Sequence, residues 1–282
     1  AGGRSRPARP ESFRPPAQAL EDGVSGAVWF VGAGPGAADL ITVRGRDRVA
    51  EADAVLYAGS LVPSGVLAWA PDGCEVADSK GMSLAQIQAW LLERARQGRR
   101  VVRLQPGDPG LYGAFVEIVR PLDEAGIPVH LVPGVTSAMA AAAAAGESLT
   151  LPEGTQTVIF TRVEGRTPMP DGEHLADLAR HGSTLCLYLS VTLLERLAEA
   201  LRQGGWDDDA PVVVVHRASW PEAEAVLRTR VADLAADCRE AGVRSQGMIL
   251  VGPTLGARQA AAGARSRLYD PAFGHRFRRR QR

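Results

Sequence analysis

The segment V-W-F-V-G-A-G-P-G, residues 28–36, decides the class of fold. Its first half is an apolar run typical of a buried strand, and its second half is a glycine-rich turn. A strand that enters such a turn and then a helix is typical of α/β proteins, which bind ligands at the carboxyl ends of their strands. The segment therefore predicts an α/β fold and raises the question of what the turn holds.

Similar apolar runs recur along the chain and predict a series of strands, at 28–31, 54–57, 101–104, 129–132, 158–161, 185–189, 212–216 and 248–251. Helices are predicted between them, at 84–97, 137–145, 173–180, 193–203 and 231–241. Ser83 with Gln86 forms a capping box, and Gly98 supplies the stop. The helix at 137–145 is almost entirely alanine, so we expect it to pack closely on a sheet.

Turn residues without periodicity at 146–154 predict a domain boundary. The expected organisation is an N-terminal α/β domain at 26–147 and a C-terminal α/β domain at 152–258, with the active-site cleft between them. Residues 1–25 have the composition of a disordered leader. Residues 259–282 are basic, which favours a solvated, disordered tail over an RNA or membrane contact, because like charges in a block repel.

Composition restricts the function classes. The 282 residues have 45% hydrophobic and 23% charged content and a formal net charge of zero, which argues against nucleic-acid binding. No apolar run approaches the length of a membrane span, so we expect no membrane partner. The three widely spaced cysteines show neither metal-ligand nor disulfide spacing, which favours a reducing cytoplasm and predicts no metal site.

The glycine turn fits a dinucleotide poorly. Its spacing, Gly32-x-Gly34-Pro35-Gly36, is one residue short of the usual fingerprint, and Pro35 lacks the backbone donor that a pyrophosphate needs. The next strand ends at Tyr57 without a carboxylate for a ribose. A nicotinamide dehydrogenase is therefore disfavoured, and a plain strand-to-helix turn stays an alternative.

Two more loops follow predicted strands. Q-P-G-D-P-G-L-Y-G, residues 105–113, offers Asp108 either to a ligand or to an Asx turn. P-G-V-T-S, residues 133–137, places Thr136 and Ser137 either as helix caps or facing a cleft.

These three loops in this order, followed by G-x-x-L-x-L-P at 146–152, resemble the tetrapyrrole (corrin/porphyrin) methylase family over residues 27–257. The resemblance implies two α/β domains, S-adenosylmethionine in the cleft between them, and a homodimer. It implies that the glycine turn lines the cleft instead of holding phosphate, and it leaves Asp39 as a helix cap. By the same resemblance, the residues expected at the cofactor are Pro35, Gly107, Asp108, Leu111, Tyr112, Thr136, Ser137, Leu189, Ala218 and Pro253.

Two further segments, Y-A-G-S-L-V-P at 57–63 and T-R-V-E-G-R-T-P-M-P at 161–170, are similar to the members of the family that methylate carbon C(11) of precorrin-4 in cobalamin biosynthesis. A related tetrapyrrole such as cobalt-precorrin-4 or uroporphyrinogen III stays open as the substrate, and so does a non-catalytic carrier. Since such substrates carry many carboxylates, the expected substrate contacts are Tyr57, Ser60, Lys80, Arg103, Arg162, Arg166 and Arg217. No catalytic base is assigned, with Glu117, His130 and His216 as candidates.

Overall fold

A computed structural model describes residues 26–258 together with 266, 269–270, 272–274 and 276–279. The leader predicted at 1–25 lies outside the described residues, as does most of the predicted tail. The described chain forms two five-stranded sheets, which confirms the α/β class. None of its described helices combines the length and apolarity needed to cross a bilayer.

The first sheet is entirely parallel, in the order β3-β2-β4-β1-β5. Its strands are β1 (Val28–Gly32), β2 (Ala54–Tyr57), β3 (Glu75–Asp78), β4 (Val101–Gln105) and β5 (Val129–Val132), and its helices are α1 (Val43–Ala50), α2 (Leu84–Arg96) and α3 (Phe115–Glu124). Short 3-10 helices lie at Ala38–Leu40 and Ser64–Trp69. Strands β1 and β4 are buried along their whole length, because apolar clusters cover both faces of the sheet.

The second sheet is mixed, in the order β6-β7-β10-β8-β9. After α4 (Ser137–Ala145), its elements are β6 (Val158–Arg162), α5 (Leu175–Ala179), β7 (Thr184–Tyr188), α6 (Leu194–Gln203), β8 (Pro211–His216), β9 (Ala225–Arg230), α7 (Leu234–Glu240) and β10 (Gly247–Val251). Only β6 and β7 are parallel neighbours, while β10 runs antiparallel to both β7 and β8. Strand β10 therefore begins at the sheet edge where β7 and β8 end.

Helix α4 is the alanine helix, and it ends at Gly146 with a φ of 65° as the sequence predicts. Its alanines pack against residues of β7, β8 and β10 in the second sheet, including Cys186 and Leu250. The expected domain boundary near 146–154 places this helix in the N-terminal domain. By packing it belongs with the second sheet, so the chain changes sheets in the loop after β5.

Besides the two 3-10 helices, two strands and two α-helices of the described chain were not predicted: β3, β9, α1 and α3. Helix α3 contains Pro121, which cannot donate a hydrogen bond to the carbonyl of Glu117 one turn earlier. The side chain of Gln88 in α2 donates to that carbonyl instead, at 2.8 Å. This bond satisfies the interrupted turn and fixes α2 against α3.

Asp39 is not a helix cap, contrary to the expectation from the sequence. It lies in the first turn of the short 3-10 helix, whose N-cap residue is Ala37. Helix α1 starts later, where the hydroxyl of Thr42 accepts a bond from the backbone N–H of Gly45 at 3.1 Å. The cap is therefore a hydroxyl three positions further along the chain.

Candidate active site

The three glycine-containing loops meet at the carboxyl edge of the first sheet, after β1, β4 and β5. A Cβ built on Gly32 would lie 2.5 Å from the Cα of Gly134, and one on Gly134 would lie 2.1 Å from the carbonyl oxygen of Gly107. Gly34 and Gly107 form an isolated antiparallel bridge, with N···O distances of 3.3 and 2.8 Å. The glycines are therefore explained by backbone-to-backbone packing of the loops, which no side chain would allow.

Asp108 joins two of these loops. Its Oδ1 accepts a hydrogen bond from the N–H of Gly110 at 2.8 Å, which makes the Asx turn, and its Oδ2 accepts from the N–H of Gly134 at 2.9 Å. Both carboxylate oxygens thus hold backbone in place. This arrangement positions the loop that carries Leu111 and Tyr112.

The second domain docks on the first loop through the segment after β8. The indole N–H of Trp220 donates to the carbonyl of Pro35 at 3.0 Å, and its ring covers Gly36 so closely that a Cβ there would lie 2.3 Å from the ring. The backbone N–H of Ala37 donates to the hydroxyl of Ser219 at 3.0 Å. The Gly34-Pro35-Gly36 turn is therefore part of an interdomain contact.

Two further hydrogen bonds join the halves of the chain. The hydroxyl groups of Thr136 and Tyr188 lie 2.6 Å apart. The amide of Gln246 donates to the carbonyl of Ser60 at 2.9 Å and accepts from Nε of Arg217 at 2.7 Å. These polar contacts surround an open space between the two sheet edges.

That space is a cavity of about 250 Å³ that continues into open solvent. Nine of the ten residues expected at the cofactor line it, namely Pro35, Gly107, Asp108, Leu111, Tyr112, Thr136, Ser137, Leu189 and Ala218. The start of α4 supplies the hydroxyl groups of Thr136 and Ser137, and the second domain supplies apolar residues that include Val191, Val215 and Met248, beside Arg217 and Gln246. The lining therefore combines polar groups with apolar side chains.

Strained backbone concentrates around this cavity. Eight non-glycine residues of the described chain have left-handed φ values, and half of them line the cavity: Tyr112, Leu189, Arg217 and Gln246. The side chain of Leu189 is 67% exposed, although leucine normally prefers burial. Such conformations are unfavourable for non-glycine residues and cluster at ligand sites, so this cavity is the candidate active site.

Aromatic rings form part of the cavity wall. Tyr112 and Tyr188 lie with their ring centroids 5.2 Å apart, and Trp220 faces the first loop from the other domain. Burial raises the pKa of the Tyr188 phenol, although its hydrogen bond to Thr136 opposes the shift. Burial also raises the pKa of Tyr112, so both phenols stay neutral near pH 7.

Pro253 does not line the cavity. It follows the carboxyl end of β10, whereas the cavity touches Gly247 and Met248 at the opposite end of that strand. Pro253 instead lies in a surface depression beside Trp206. Because β10 is antiparallel to β7 and β8, the loop after it lies at the opposite edge of the sheet from the ends of those two strands, away from this cavity.

The residues expected to contact substrate are less concentrated. Arg217 lines the cavity, and Ser60 contributes a carbonyl at its edge. The guanidinium of Arg162 bonds to three carbonyls of its own loop, those of Val163, Thr167 and Pro168. The other candidates lie outside this cavity, where Tyr57 packs in the first core, Lys80 and Arg166 are exposed, and Arg103 is buried.

None of the three candidate bases lines the cavity. His130 stacks on Trp29 at the edge strand β5, with ring centroids 5.2 Å apart. His216 ends β8, and burial lowers its pKa, with Arg217 adding to the effect. Glu117 is exposed on α3.

Tyr188, Trp220 and Gln246 also line the cavity, and none of them was predicted from the sequence. Each reaches the cavity only because the domains dock, and neither their spacing nor their composition indicates that. The available signal for Trp220 was its position directly after H-R-A-S, the segment that contains Ala218.

The chemistry of the lining fits S-adenosylmethionine. The apolar side chains of the lining suit an adenine, and the N-terminus of α4 at Ser137 suits an α-carboxylate because helix N-termini attract anions. Tyr112 and Tyr188 offer ring faces that attract a cation such as a sulfonium. The lining therefore contains groups that match the adenine, the carboxylate and the sulfonium of the molecule.

The fold and the site define an α/β protein with two sheets and a cavity between their edges. Residues 27–235 match the family model for Tetrapyrrole (Corrin/Porphyrin) Methylases. The chain belongs to the tetrapyrrole methylase family.

The sequences of two curated relatives align with most of this chain. A cobalt-precorrin-4 C(11)-methyltransferase of Priestia megaterium is 47% identical over 252 residues, which span 89% of this chain and 97% of the relative. A precorrin-4 C(11)-methyltransferase of Pseudomonas aeruginosa is 44% identical over 251 residues, spanning 89% and 98%.

Solved structures agree with the fold. A cobalt precorrin-4 methyltransferase involved in cobalamin biosynthesis is 48% identical with a TM-score of 0.78, covering 80% of this chain and 95% of that one. A uroporphyrin-III C-methyltransferase of Thermus thermophilus, complexed with S-adenyl homocysteine, is 32% identical with a TM-score of 0.68, covering 81% and 93%.

Proposed function

We propose that the chain transfers a methyl group from S-adenosylmethionine to carbon C(11) of precorrin-4 in cobalamin biosynthesis. The observation that carries the proposal is the interdomain cavity, which nine of the ten residues expected at the cofactor line. The names of the two curated relatives, each above 40% identity over nearly their full length, support the particular substrate.

When bound, the donor supplies a methyl group that its sulfonium already makes electrophilic. The protein's task is then alignment, which can contribute about 7–11 kcal/mol to such a reaction. The stacked loops provide that alignment, because Asp108 fixes the second loop to the third and Trp220 fixes the first loop to the other domain. A preorganised backbone of this kind does not have to rearrange when the reactants bind.

The apolar side chains of the lining contribute by excluding water. Leu189, Val191 and Met248 would cover the purine and leave the reacting end near Tyr112. Positive charge spreads from sulfur onto the acceptor in the transition state, and a dry site disfavours the more localised charge of the reactants. We assign no covalent nucleophile, since direct displacement needs none.

The experiment is an incubation with methyl-labelled donor and, separately, precorrin-4, cobalt-precorrin-4 and uroporphyrinogen III. We expect label at C(11) of the precorrin, located by NMR of the product. Comparing the rates with the first two substrates decides whether the natural substrate is metal-free or bears cobalt. The relatives do not decide this, because one is named for cobalt-precorrin-4 and the other for precorrin-4. Methylation of uroporphyrinogen III alone would overturn the proposal.

We also propose that the protein works in the cytoplasm as a homodimer. The described cysteines are free thiols, and burial raises the pKa of Cys186 to about 12 and of Cys238 to about 11, so both are inert. The dimer rests on the family resemblance. Sedimentation equilibrium tests it, and a monomeric mass at micromolar concentration would contradict it.

A further inference from the structure

A second cavity lies beside the candidate active site, on the other side of the G-D-P-G-L-Y-G loop. Its volume is about 360 Å³, and it opens between α2 and α3 over the end of β4. Pro106, Leu111 and Tyr112 line both cavities, so this segment forms a common wall. A ligand in the second cavity would therefore lie next to one in the first.

Arg103 lines the second cavity and is an unusual residue to find there. It is only 5% exposed, and the single hydrogen bond of its guanidinium within the described chain is from Nη1 to the hydroxyl of Ser79, at 2.8 Å. Its Nε is enclosed without a partner. The adjacent Gln105 is also buried, with an unpartnered Oε1.

No carboxylate within the described residues forms an ion pair with Arg103. Asp78 is near enough to raise its pKa somewhat, but Oδ1 of Asp78 accepts the backbone N–H groups of Gly59 and Lys80. Glu117 also lines the cavity but is exposed on α3. Burial dominates and lowers the pKa of Arg103 to about 10, which leaves the side chain positively charged at pH 7.

A buried charge that forms no ion pair is unfavourable, since the hydroxyl of Ser79 and the charge of Asp78 offset only part of its desolvation. The cavity beside it gives an anion access to the guanidinium, and arginine pairs best with carboxylates or phosphates. The substrate of the proposed function carries carboxylate side chains at its rim. One of these carboxylates can therefore supply the negative charge that Arg103 lacks.

We propose that one carboxylate of the tetrapyrrole enters the cavity between α2 and α3 and pairs with Arg103, with Ser79 holding the guanidinium in place. This inference rests on the proposed function. The pairing holds one carboxylate at the edge of the ring in the second cavity, beside Leu111 and Tyr112, so that the ring itself can extend to the donor in the first cavity. Arg103 is thus a residue that positions the acceptor and is not a catalytic residue.

The test compares Arg103→Met, Arg103→Lys and the control Arg100→Met with the wild type. Arg100 pairs with Asp53 on the surface at the other end of β4, so its variant removes the same charge elsewhere. We expect Arg103→Met to raise KM for precorrin-4 by about 10- to 100-fold, as the loss of one charge-assisted pair predicts. Arg103→Lys should recover part of this loss, and Arg100→Met should match the wild type.

Two further readouts separate binding from structure. The affinity for S-adenosylhomocysteine should stay unchanged in Arg103→Met, and its Tm should equal or exceed the wild-type value because an unpaired buried charge is removed. An unchanged KM for precorrin-4 with an active wild type would overturn this inference alone. If Arg103→Met unfolded or lost affinity for S-adenosylhomocysteine while Arg103→Lys kept the wild-type KM, the role of Arg103 would be structural, and the inference would be wrong. A wild type that does not methylate precorrin-4 would overturn the proposed function as well.

Discussion

The substitution Gly134→Ala tests whether the stacked loops form the donor site. The new Cβ would lie 2.1 Å from the carbonyl oxygen of Gly107 and 2.7 Å from the Cα of Gly32, whereas ordinary contacts begin near 3.4 Å. Both obstacles are backbone atoms, so one loop must move by more than an ångström. That movement also disrupts the 2.9 Å bond from the Gly134 N–H to Asp108.

The expected magnitudes follow from these two effects. Overpacking of this kind lowers the free energy of unfolding by about 1–3 kcal/mol, which corresponds to a fall in Tm of about 2–10 °C. The hydrogen bond from Gly134 to the Asp108 carboxylate is also lost, which weakens the site for the methyl donor. We expect this loss to raise the Kd for S-adenosylhomocysteine by about tenfold or more. Differential scanning fluorimetry measures the first effect, and calorimetric titration with S-adenosylhomocysteine measures the second.

Gly81→Ala is the matched control. A Cβ at Gly81 meets no atom within 4 Å, and its φ is not left-handed, so we expect wild-type stability and affinity. If Gly134→Ala gave the same Tm and Kd as Gly81→Ala, the account of the loops as a preorganised donor site would be refuted.

Further substitutions test other contacts. Trp220→Phe should raise Kd for S-adenosylhomocysteine about 3- to 10-fold by removing the bond to Pro35, while Trp206→Phe, which loses a similar indole bond within one domain, should leave Kd unchanged in the same titration. Asp108→Ala should weaken donor binding about 10- to 100-fold while circular dichroism shows a retained fold; unaltered affinity would contradict its placement. Burial lowers the pKa of His216, so the folded state binds its proton less tightly than the unfolded chain; stability is full above pH about 6.5 and falls below it. Thermal melts should show this decline in the wild type and a smaller one in His216→Gln.

The central strands and the loops that follow them could be predicted from the sequence because a buried parallel strand is apolar on both faces. The run at 28–31 is such a case. Strand β3 could not be predicted, since E-V-A-D contains few apolar residues and its Glu75 is held by Arg94 and Arg99 of the neighbouring helix and loop. Helix α3 was missed because Pro121 contradicts a helix unless a side chain from elsewhere satisfies the freed carbonyl.

The candidate site was predictable only in part. The loops of the first domain carry recognisable glycine patterns, and the expected residues on them line the cavity. The contributions of Trp220 and Gln246 depend on how the domains dock and on left-handed backbone at Gln246, neither of which is encoded by local spacing. The position of Pro253 outside the cavity has a related cause, since the direction of β10 in a mixed sheet is a property of topology.

The central claim is that the two domains hold the methyl donor between them. A crystal structure of the protein with S-adenosylhomocysteine tests this claim most directly. The account predicts density for the ligand in the cavity, with its amino-acid end toward Ser137 and its adenine against Leu189 and Met248. Ligand bound at another surface, or a cavity left empty at saturating concentration, would contradict it.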